Sequence, residues 1–373
     1  MGAAGMQRLL GMQRWLAAAL LVLLATLAAG AVACRVERSV VLFGSGSTFV
    51  EPAMVAWIRG FQESHPGVSV NYVGGGSGKG QEDILGGKVD FACSDPPLKR
   101  SALQAYRGRI LQFPVILGAI VVTYNVPEIG SAQLNLSARI LAGIYLGRIV
   151  YWDDPRIKEL NPAVASRLPH KPIIAVHRSD ASGTTQIFTT FLYKASGGLW
   201  PESLVGKVVS WPVDATGRGL GEQGNPGVAN AIQHTPYSIG YIEWSYALSR
   251  GLPIARIENP YGAFVAPTRE SVEAAYTGRP APSPLGDWST YVYEAIYSNS
   301  TPKAYPIVGQ TFMILWRIQP DKAKCEALRS FIEYIAGPGQ EHVPTGYAPL
   351  PPQLREVALN ASKLIECGGG AGG

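Results

Sequence analysis

The segment SVVLFGSGSTFV, residues 39–50, joins an apolar, β-branched run to a loop of glycines and hydroxyl residues. Beyond this loop, apolar side chains recur at helical spacing, at Val50, Met54, Trp57, Ile58 and Phe61. The order predicts a strand that ends at Phe43, a tight loop, and an amphipathic helix capped by Ser47 or Thr48. Units of this kind are typical of an α/β fold.

The same order of strand, glycine-rich loop and helix occurs twice more. Residues 68–73 form the second predicted strand, and the loop GGGSG at 74–78 and a short helix follow it. Residues 173–176 form the third, followed by HRSDASG at 177–183 and a helix that Ser182 is predicted to cap. A further short strand is predicted to end at Cys93, just before Asp95.

These loops indicate an anion site when they are taken together. The first turn of a helix leaves backbone N–H groups unpaired and carries partial positive charge, so it can bind an anion. Glycine lets a ligand approach the backbone, and hydroxyl residues add donors. Each loop alone is better explained by ordinary helix capping. Three such loops, together with Arg178 and Asp95, favour a binding site for an oxyanion.

Nucleotide and hydrolase motifs fit the sequence poorly. The stretch GSGSTF resembles the start of a dinucleotide-binding loop, but Phe49 occupies the position where that motif has its third glycine. Lys79 lacks the Ser or Thr that follows the lysine of a P-loop, and no GxSxG motif is present. His177 is interpreted as a residue at the end of a strand rather than a catalytic base.

Length and composition limit the class of protein. A chain of 373 residues predicts two domains, and 47% hydrophobic with 16% charged residues excludes a disordered polyelectrolyte. The formal charge is +5, and without Arg8 and Arg14 of the leader it falls to +3, with 30 basic and 27 acidic residues. This balance predicts no nucleic-acid partner.

Residues 1–33 are predicted to be an export signal or an N-terminal membrane anchor. Arg8 and Arg14 precede an uncharged run at 15–33, and Cys34 follows directly after Ala33. Three outcomes are open: cleavage and soluble secretion, lipidation of Cys34, or retention of the run as an anchor. Each of them places the rest of the chain outside the cytoplasm.

The remaining cysteines do not have metal-site spacing, so neither a metal nor a cofactor is predicted. In an exported chain, Cys325 and Cys367 either form a disulfide or remain free thiols. Cys93 lies in an apolar stretch and is interpreted as a small buried residue.

Six segments stand out along the chain after the leader: GSGSTF (44–49), NYVGGGSGKG (71–80), VDFACSDPPL (89–98), IYLGRIVYWDDPRI (144–157), HRSDASGTT (177–185) and SIGYIEW (238–244). In their order and over nearly all of that length, they resemble the phosphate-binding proteins of high-affinity ABC phosphate importers. The resemblance implies a type II periplasmic-binding-protein fold, in which two α/β lobes close over one ligand and the chain crosses between them twice.

On this resemblance, lobe 1 comprises residues 36–115 and 256–366, and lobe 2 comprises residues 118–252. The two crossings are expected near 114–118 and 252–256. The glycine and alanine tail at 368–373 is expected to be flexible.

The resemblance also implies the ligand contacts. The phosphate donors are expected at Ser47, Thr48, Phe49, Ser77, Arg178, Ser182, Gly183 and Thr184, with Asp95 as the ligand-contacting carboxylate. Asp180 is expected to orient Arg178 from behind. The sequence departs from the family beside the site, with Ser47 where alanine is common, Cys93 before Ser94, and Lys79 just after the second loop.

Asp95 has a role that the chemistry of the ligand explains. Phosphate carries a proton at neutral pH, which an ionised carboxylate accepts, whereas sulfate has none and is repelled. The resemblance therefore implies a phosphate-binding protein, not an enzyme, that acts as a monomer with an ABC permease. The pattern of residues 1–33 adds attachment to the membrane through its N-terminus. The alternatives are a binding protein for sulfate, molybdate or tungstate, and a secreted phosphatase, which would need a nucleophile or metal cluster.

Overall fold

The structure is a computed structural model that describes residues 39–276, 278–292 and 301–368. The predicted leader at 1–33, the lipidation candidate Cys34 and all of the predicted tail except Gly368 lie outside the described residues. No helix in the described part of the chain combines the length and the apolar character that a membrane crossing requires.

Strands and helices alternate along most of the described chain. The strands are β1 (Val40–Gly46), β2 (Val68–Gly74), β3 (Phe91–Ser94), β4 (Ile110–Asn125), β5 (Asn135–Leu136), β6 (Ile174–Arg178), β7 (Gly219–Glu222), β8 (Ser238–Glu243), β9 (Arg256–Glu258), β10 (Phe264–Val265), β11 (Val308–Trp316), β12 (Ile318–Gln319), β13 (Tyr347–Ala348) and β14 (Glu366–Cys367).

The helices lie between these strands in the chain. They are α1 (Glu51–Ser64), α2 (Ser77–Leu85), α3 (Arg100–Ala105), α4 (Ala138–Tyr145), α5 (Pro155–Leu160), α6 (Gly183–Ala195), α7 (Gly224–His234), α8 (Trp244–Arg250), α9 (Arg269–Glu273), α10 (Lys322–Ala336), α11 (Pro338–Glu341) and α12 (Pro352–Leu364). Short 3-10 turns occupy Ala165–Arg167, Glu202–Leu204 and Pro212–Thr216.

One sheet contains most of the strands, in the order β2-β1-β3-β11-β4-β8-β6-β7, with β13 paired to β4. Strands β2, β1 and β3 are parallel, and β11 runs antiparallel to both β3 and β4. On the other side, β8, β6 and β7 are parallel to one another. We call β2, β1, β3, β11 and β13 the first half of the sheet, and β8, β6 and β7 the second half.

Strand β4 joins the two halves. Its residues up to Ala119 pair antiparallel with β11, and those from Ile120 onward pair antiparallel with β8. All of its residues but the last are buried, which agrees with an almost continuously apolar sequence covered on both faces. The change of partner between Ala119 and Ile120 lies next to the crossing predicted near 114–118.

The predicted lobe limits stay predictions, and strand pairing bears on one of them. Strand β9 was expected to begin the return to lobe 1, but it pairs in parallel with β5, which lies in the range predicted for lobe 2. The small sheet β10-β9-β5 therefore keeps residues 256–265 beside that range.

Helix α1 shows how the apolar spacing of the opening segment is used. It buries Met54, Trp57 and Phe61, as the spacing predicts, and Pro52 lies in its first turn, where a missing N–H costs nothing. The indole N–H of Trp57 donates to the carbonyl of Gly339 at 2.9 Å. This contact joins the helix to the C-terminal part of the chain, so the first half of the sheet is covered by distant segments.

Cys325 and Cys367 form a disulfide between α10 and β14, which confirms the pairing as the correct alternative. Cys93 is a free, fully buried cysteine, as interpreted from its apolar surroundings. The disulfide closes the C-terminal segment, and β14 also pairs in parallel with β12, which lies just before α10.

We expect the disulfide to stabilise the protein by restricting the unfolded chain. The two cysteines are separated by 42 residues, and the chain-entropy model gives about 4 kcal/mol for a loop of this length. Replacing both with serine should therefore lower the free energy of unfolding in urea by up to this amount. Reductant should lower the stability of the unmodified protein to the same level and leave the double variant unchanged. Equal stability of the two proteins would contradict the expectation.

Candidate functional site

The predicted binding residues meet at the carboxyl ends of the parallel strands. Ser47 and Thr48 follow β1, Asp95 follows β3, and Arg178 ends β6. The predicted side chains are all at most 4% exposed: Ser47, Thr48, Phe49, Ser77, Asp95, Arg178, Ser182 and Thr184. The loops after the strands of the two halves thus form one buried polar site.

Asp95 lies at the centre of a set of hydroxyl groups. Its Oδ1 accepts hydrogen bonds from Ser47 Oγ at 2.7 Å and from Thr311 Oγ1 at 2.8 Å, and its Oδ2 accepts one from Ser77 Oγ at 3.2 Å. Burial raises the pKa of Asp95 to about 6, although these hydroxyls and the charge of Arg178 act in the opposite direction. The carboxylate is ionised at neutral pH and changes its charge in mildly acidic solution.

Thr311 is a site residue that the sequence analysis missed. It lies in β11, where the register against β4 shifts between Thr311 and Phe312. The strand is mostly apolar and buried in all but its last residue, and it carries no glycine loop or motif that would mark it. Only the three-dimensional pairing of β11 with β3 brings this hydroxyl to Asp95.

Arg178 is held in place by Asp180. The guanidinium Nε donates to Asp180 Oδ1 at 2.6 Å and its Nη2 donates to Oδ2 at 2.5 Å, a two-point ion pair. Burial raises the pKa of Asp180, but the hydrogen bonds and charge of Arg178 outweigh it, so the pKa lies below its usual value. The Arg178 side chain is 1% exposed. Its Nη1 lies 3.4 Å from Thr184 Oγ1, on the side away from the carboxylate contacts.

The start of α6 has the features expected of an anion-binding helix. Ser182 Oγ accepts a hydrogen bond from the Thr185 N–H at 3.1 Å, which confirms the predicted cap. A Cβ at Gly183 would lie 2.3 Å from Ser77 Oγ and 2.5 Å from Asp95 Oδ2. Only glycine therefore permits this helix start to approach the carboxylate so closely.

The predicted cap at the first helix is wrong. Helix α1 begins at Glu51 with Val50 as its N-cap and without a side-chain cap. The reason is that the hydroxyls of Ser47 and Thr48 are engaged elsewhere: Ser47 donates to Asp95 and also accepts from the Phe49 N–H at 2.9 Å. The backbone N–H of Phe49, expected to contact the ligand, is paired with Ser47 in this arrangement.

Asn225, at the start of α7, is a second residue that the sequence analysis missed. Its Nδ2 lies 3.0 Å from Thr48 Oγ1 and 3.3 Å from Thr184 Oγ1, so it connects the two threonines. A signal for it exists in the sequence: residues 219–234 form a fourth unit of strand, glycine turn and helix, with Gly224 at φ +69°. Recognising this unit would have directed attention to Asn225.

Other ionisable groups around the site have structural explanations. His177 stacks on Trp211 and its Nε2 lies 2.8 Å from Asp214 Oδ1, which agrees with its interpretation as a residue at the end of a strand. Glu243 is fully buried, and burial raises its pKa to about 8, against the hydrogen bonds from Ser245. Across the residues that the structure describes, no group of three or more His, Cys, Asp or Glu side chains could hold a metal ion.

The arrangement combines one carboxylate acceptor with one guanidinium and several oriented donors. Hydroxyls, the start of α6 and Arg178 supply the donors, and Asp95 supplies the acceptor. A ligand that satisfies this set must accept several hydrogen bonds and donate one. The ring nitrogens of His177 lie against Asp214 Oδ1 and the Arg178 carbonyl, so within the described residues neither is hydrogen-bonded to a hydroxyl or thiol that it could activate.

Comparisons with known proteins agree with this chemistry. A family model described as a PBP superfamily domain matches residues 33–338. The phosphate-binding protein PstS of Methanocaldococcus jannaschii is 43% identical over 342 residues, covering 88% of this chain and 87% of the relative. The phosphate-binding protein PstS of Haemophilus influenzae is 36% identical, covering 83% of this chain and 88% of the relative.

A solved structure of a high-affinity periplasmic phosphate-binding protein, with phosphate bound, superposes with a TM-score of 0.67 at 22% identity. The superposition covers 87% of this chain and 98% of that protein. This likeness shows the fold, which is the predicted α/β, type II periplasmic-binding-protein fold. Taken with the identity to the two relatives over most of their length, it follows that the chain belongs to the PstS family of phosphate-binding proteins in the PBP superfamily.

Proposed function

We propose that this chain binds inorganic phosphate between the two halves of the sheet and delivers it to an ABC permease for import. The observation that carries the proposal is the buried carboxylate of Asp95 within an otherwise donor-rich site. An anion that enters such a site loses its hydration and needs many protein donors in exchange. Arg178 and the start of α6 supply charge and N–H groups for that purpose.

The proton of phosphate distinguishes it from other tetrahedral oxyanions. The O–H group of monohydrogen phosphate donates a hydrogen bond to the ionised Asp95, whereas sulfate presents only lone pairs and negative charge to it. Repulsion between sulfate and the carboxylate, with no hydrogen bond between them to offset it, then disfavours sulfate. Molybdate and tungstate are disfavoured for the same reason wherever they are unprotonated. The alternative of a binding protein for these anions is therefore not the one we favour.

The protein is proposed to act outside the cytoplasm, held at the membrane through its N-terminus. The basic and apolar pattern of residues 1–33 supports export. The disulfide between Cys325 and Cys367 supports an oxidising compartment. Relatives named as phosphate-binding proteins support a role as the binding component of a transporter. We propose the permease subunits as its partners and a monomer as its state.

Calorimetric titration tests the ligand and the role of Asp95. The leader-free protein is unfolded and refolded to remove carried ligand, then titrated with phosphate and with sulfate. We expect tight one-to-one binding of phosphate and little binding of sulfate. Asp95→Asn should weaken phosphate binding and strengthen sulfate binding, because an amide offers a donor and no charge. The ratio of phosphate affinity to sulfate affinity should fall by about tenfold or more.

Asp83→Asn is the matched control for this experiment. Asp83 is also a buried carboxylate of the first half, and it accepts a hydrogen bond from Ser45 Oγ at 2.9 Å outside the candidate site. Its replacement should leave the ratio of phosphate to sulfate affinity unchanged. If phosphate gives no heat while another oxyanion binds, both the ligand and the role of Asp95 are wrong.

Sulfate binding should also depend on pH through Asp95. The pKa of this carboxyl is raised to about 6, so the group loses its charge as the pH falls from 7 to 5, and its hydroxyl can then donate to sulfate. Sulfate affinity should increase over this interval in the unmodified protein. In Asp95→Asn it should stay constant, since nothing is left to titrate at that position. If sulfate affinity changes equally with pH in the two proteins, titration of Asp95 is not the cause of the pH dependence.

The chain is proposed to be a binding protein rather than a phosphatase. A chromogenic phosphate ester, offered with and without divalent metal, should show no turnover above that of the buffer. The reason is that the buried site pairs Asp95 with hydroxyls and holds Arg178 against Asp180, with no activated nucleophile. Turnover that Asp95→Asn or Arg178→Ala abolishes would refute this part of the proposal.

A further inference from the structure

Asn225 connects the two halves of the sheet at the candidate site. Its Nδ2 donates to Thr48 Oγ1 at 3.0 Å and to Thr184 Oγ1 at 3.3 Å, and its backbone N–H donates to the same Thr48 oxygen at 3.1 Å. Thr48 follows a strand of the first half, and Thr184 lies in the first turn of α6 in the second half. Asn225 is fully buried, so water does not compete for these hydrogen bonds.

The orientation of the Asn225 amide is fixed by its third partner. Its Oδ1 accepts a hydrogen bond from the backbone N–H of Glu243 at 2.9 Å. A backbone N–H can only donate, so the atom that faces it has to be the oxygen of the amide. The opposite assignment would place two donors against each other. The amide nitrogen therefore faces Thr48 and Thr184, and both threonine oxygens accept from it.

These acceptor roles determine what the threonine hydroxyls can still do. A hydroxyl has two lone pairs and one proton. Thr48 Oγ1 accepts two hydrogen bonds from Asn225, and Thr184 Oγ1 accepts one from Asn225 and one from Arg178. Neither threonine proton has an acceptor among the described residues, and both residues are at most 3% exposed. A buried donor without an acceptor is unfavourable until a ligand supplies one.

The hydroxyls around Asp95 behave in the opposite way. Ser47, Ser77 and Thr311 each donate a hydrogen bond to the Asp95 carboxylate. Their protons are engaged within the protein, whereas those of Thr48 and Thr184 are available to a ligand. The site therefore has an acceptor side at Asp95 and a donor side at the two threonines.

We propose that Asn225 is a positioning residue that commits Thr48 and Thr184 to donating toward the bound oxyanion. The inference rests on the proposed function and deepens it. The oxygens that face the threonines must be unprotonated, and the one protonated oxygen of the ligand must face Asp95. Asn225 thereby selects a singly protonated tetrahedral oxyanion in one orientation, although it does not itself contact the ligand.

Asn225→Asp is the sharpest single change, because it preserves size and replaces the donor with an acceptor. The new carboxylate would accept hydrogen bonds from the Thr48 and Thr184 hydroxyls, which could then no longer donate to the ligand. Phosphate affinity measured by calorimetry should therefore fall at least about 100-fold. Asn161→Asp is the matched control, since Asn161 is a buried asparagine whose amide is paired with Asn135 and Ile157, outside the site. It should lower the melting temperature without changing phosphate affinity.

A mutant cycle separates positioning from a general structural role. Asn225→Ala should weaken phosphate binding at least about tenfold in the unmodified protein. In the Thr48→Val/Thr184→Val background it should change the affinity by less than about twofold, because the hydroxyls through which it acts are gone. Serine at both threonine positions should recover at least about tenfold of the affinity that valine loses, since the hydroxyl returns.

The outcomes distinguish the two proposals. Unmodified protein that binds no phosphate refutes the proposed function, and this inference falls with it. Phosphate binding with equal losses from Asn225→Ala in both backgrounds overturns the inference alone, as does Asn225→Asp with unmodified affinity. If circular dichroism shows that neither Asn225 variant folds, the valine and serine pairs decide. Lower affinity with valine and its recovery with serine support the inference, and equal affinities overturn it.

Discussion

The buried charge of Asp95 is the constraint on which the rest of the site depends. A carboxylate that is 1% exposed has lost its water and must receive hydrogen bonds from the protein. Three hydroxyls supply them, from the loop after β1, from the first residue of α2 and from β11. Thr311 is 216 positions away from Asp95 in the sequence. The place of β11 between β3 and β4 thus serves the site as well as the sheet.

The two halves of the sheet contribute different chemistry to the site. The first half holds the acceptor, Asp95, and engages the neighbouring hydroxyls with it. The second half supplies donors, because Arg178 is fixed by Asp180 and Ser182 orders the first turn of α6. Asn225 belongs to the second half but bonds to a threonine of the first. A ligand that needs both sets of groups therefore requires the two halves to be in contact, as they are at Asn225.

Local sequence patterns indicated an oxyanion site from the loops after β1, β2 and β6 together with Arg178 and Asp95. The individual ligand contacts and the role of Asp180 were implied by the resemblance, and the contacts stay predictions. Thr311 escaped because a threonine inside a buried strand has no local signature, and its role depends on pairing with distant strands. The predicted helix cap at Ser47 or Thr48 is wrong because both hydroxyls form hydrogen bonds with residues distant in the sequence. Local helix-capping propensity does not include such bonds.

Net charge does not explain how this site would hold an anion. Arg178 contributes one positive charge, while Asp180 and the ionised Asp95 contribute two negative charges. Attraction must therefore come from oriented N–H and O–H dipoles, which are effective at short range in a site that excludes water. Such dipoles discriminate by the number and direction of hydrogen bonds rather than by charge. A ligand with one donor and several acceptors matches them, and an anion of equal charge without the donor repels Asp95 and adds no hydrogen bond to it.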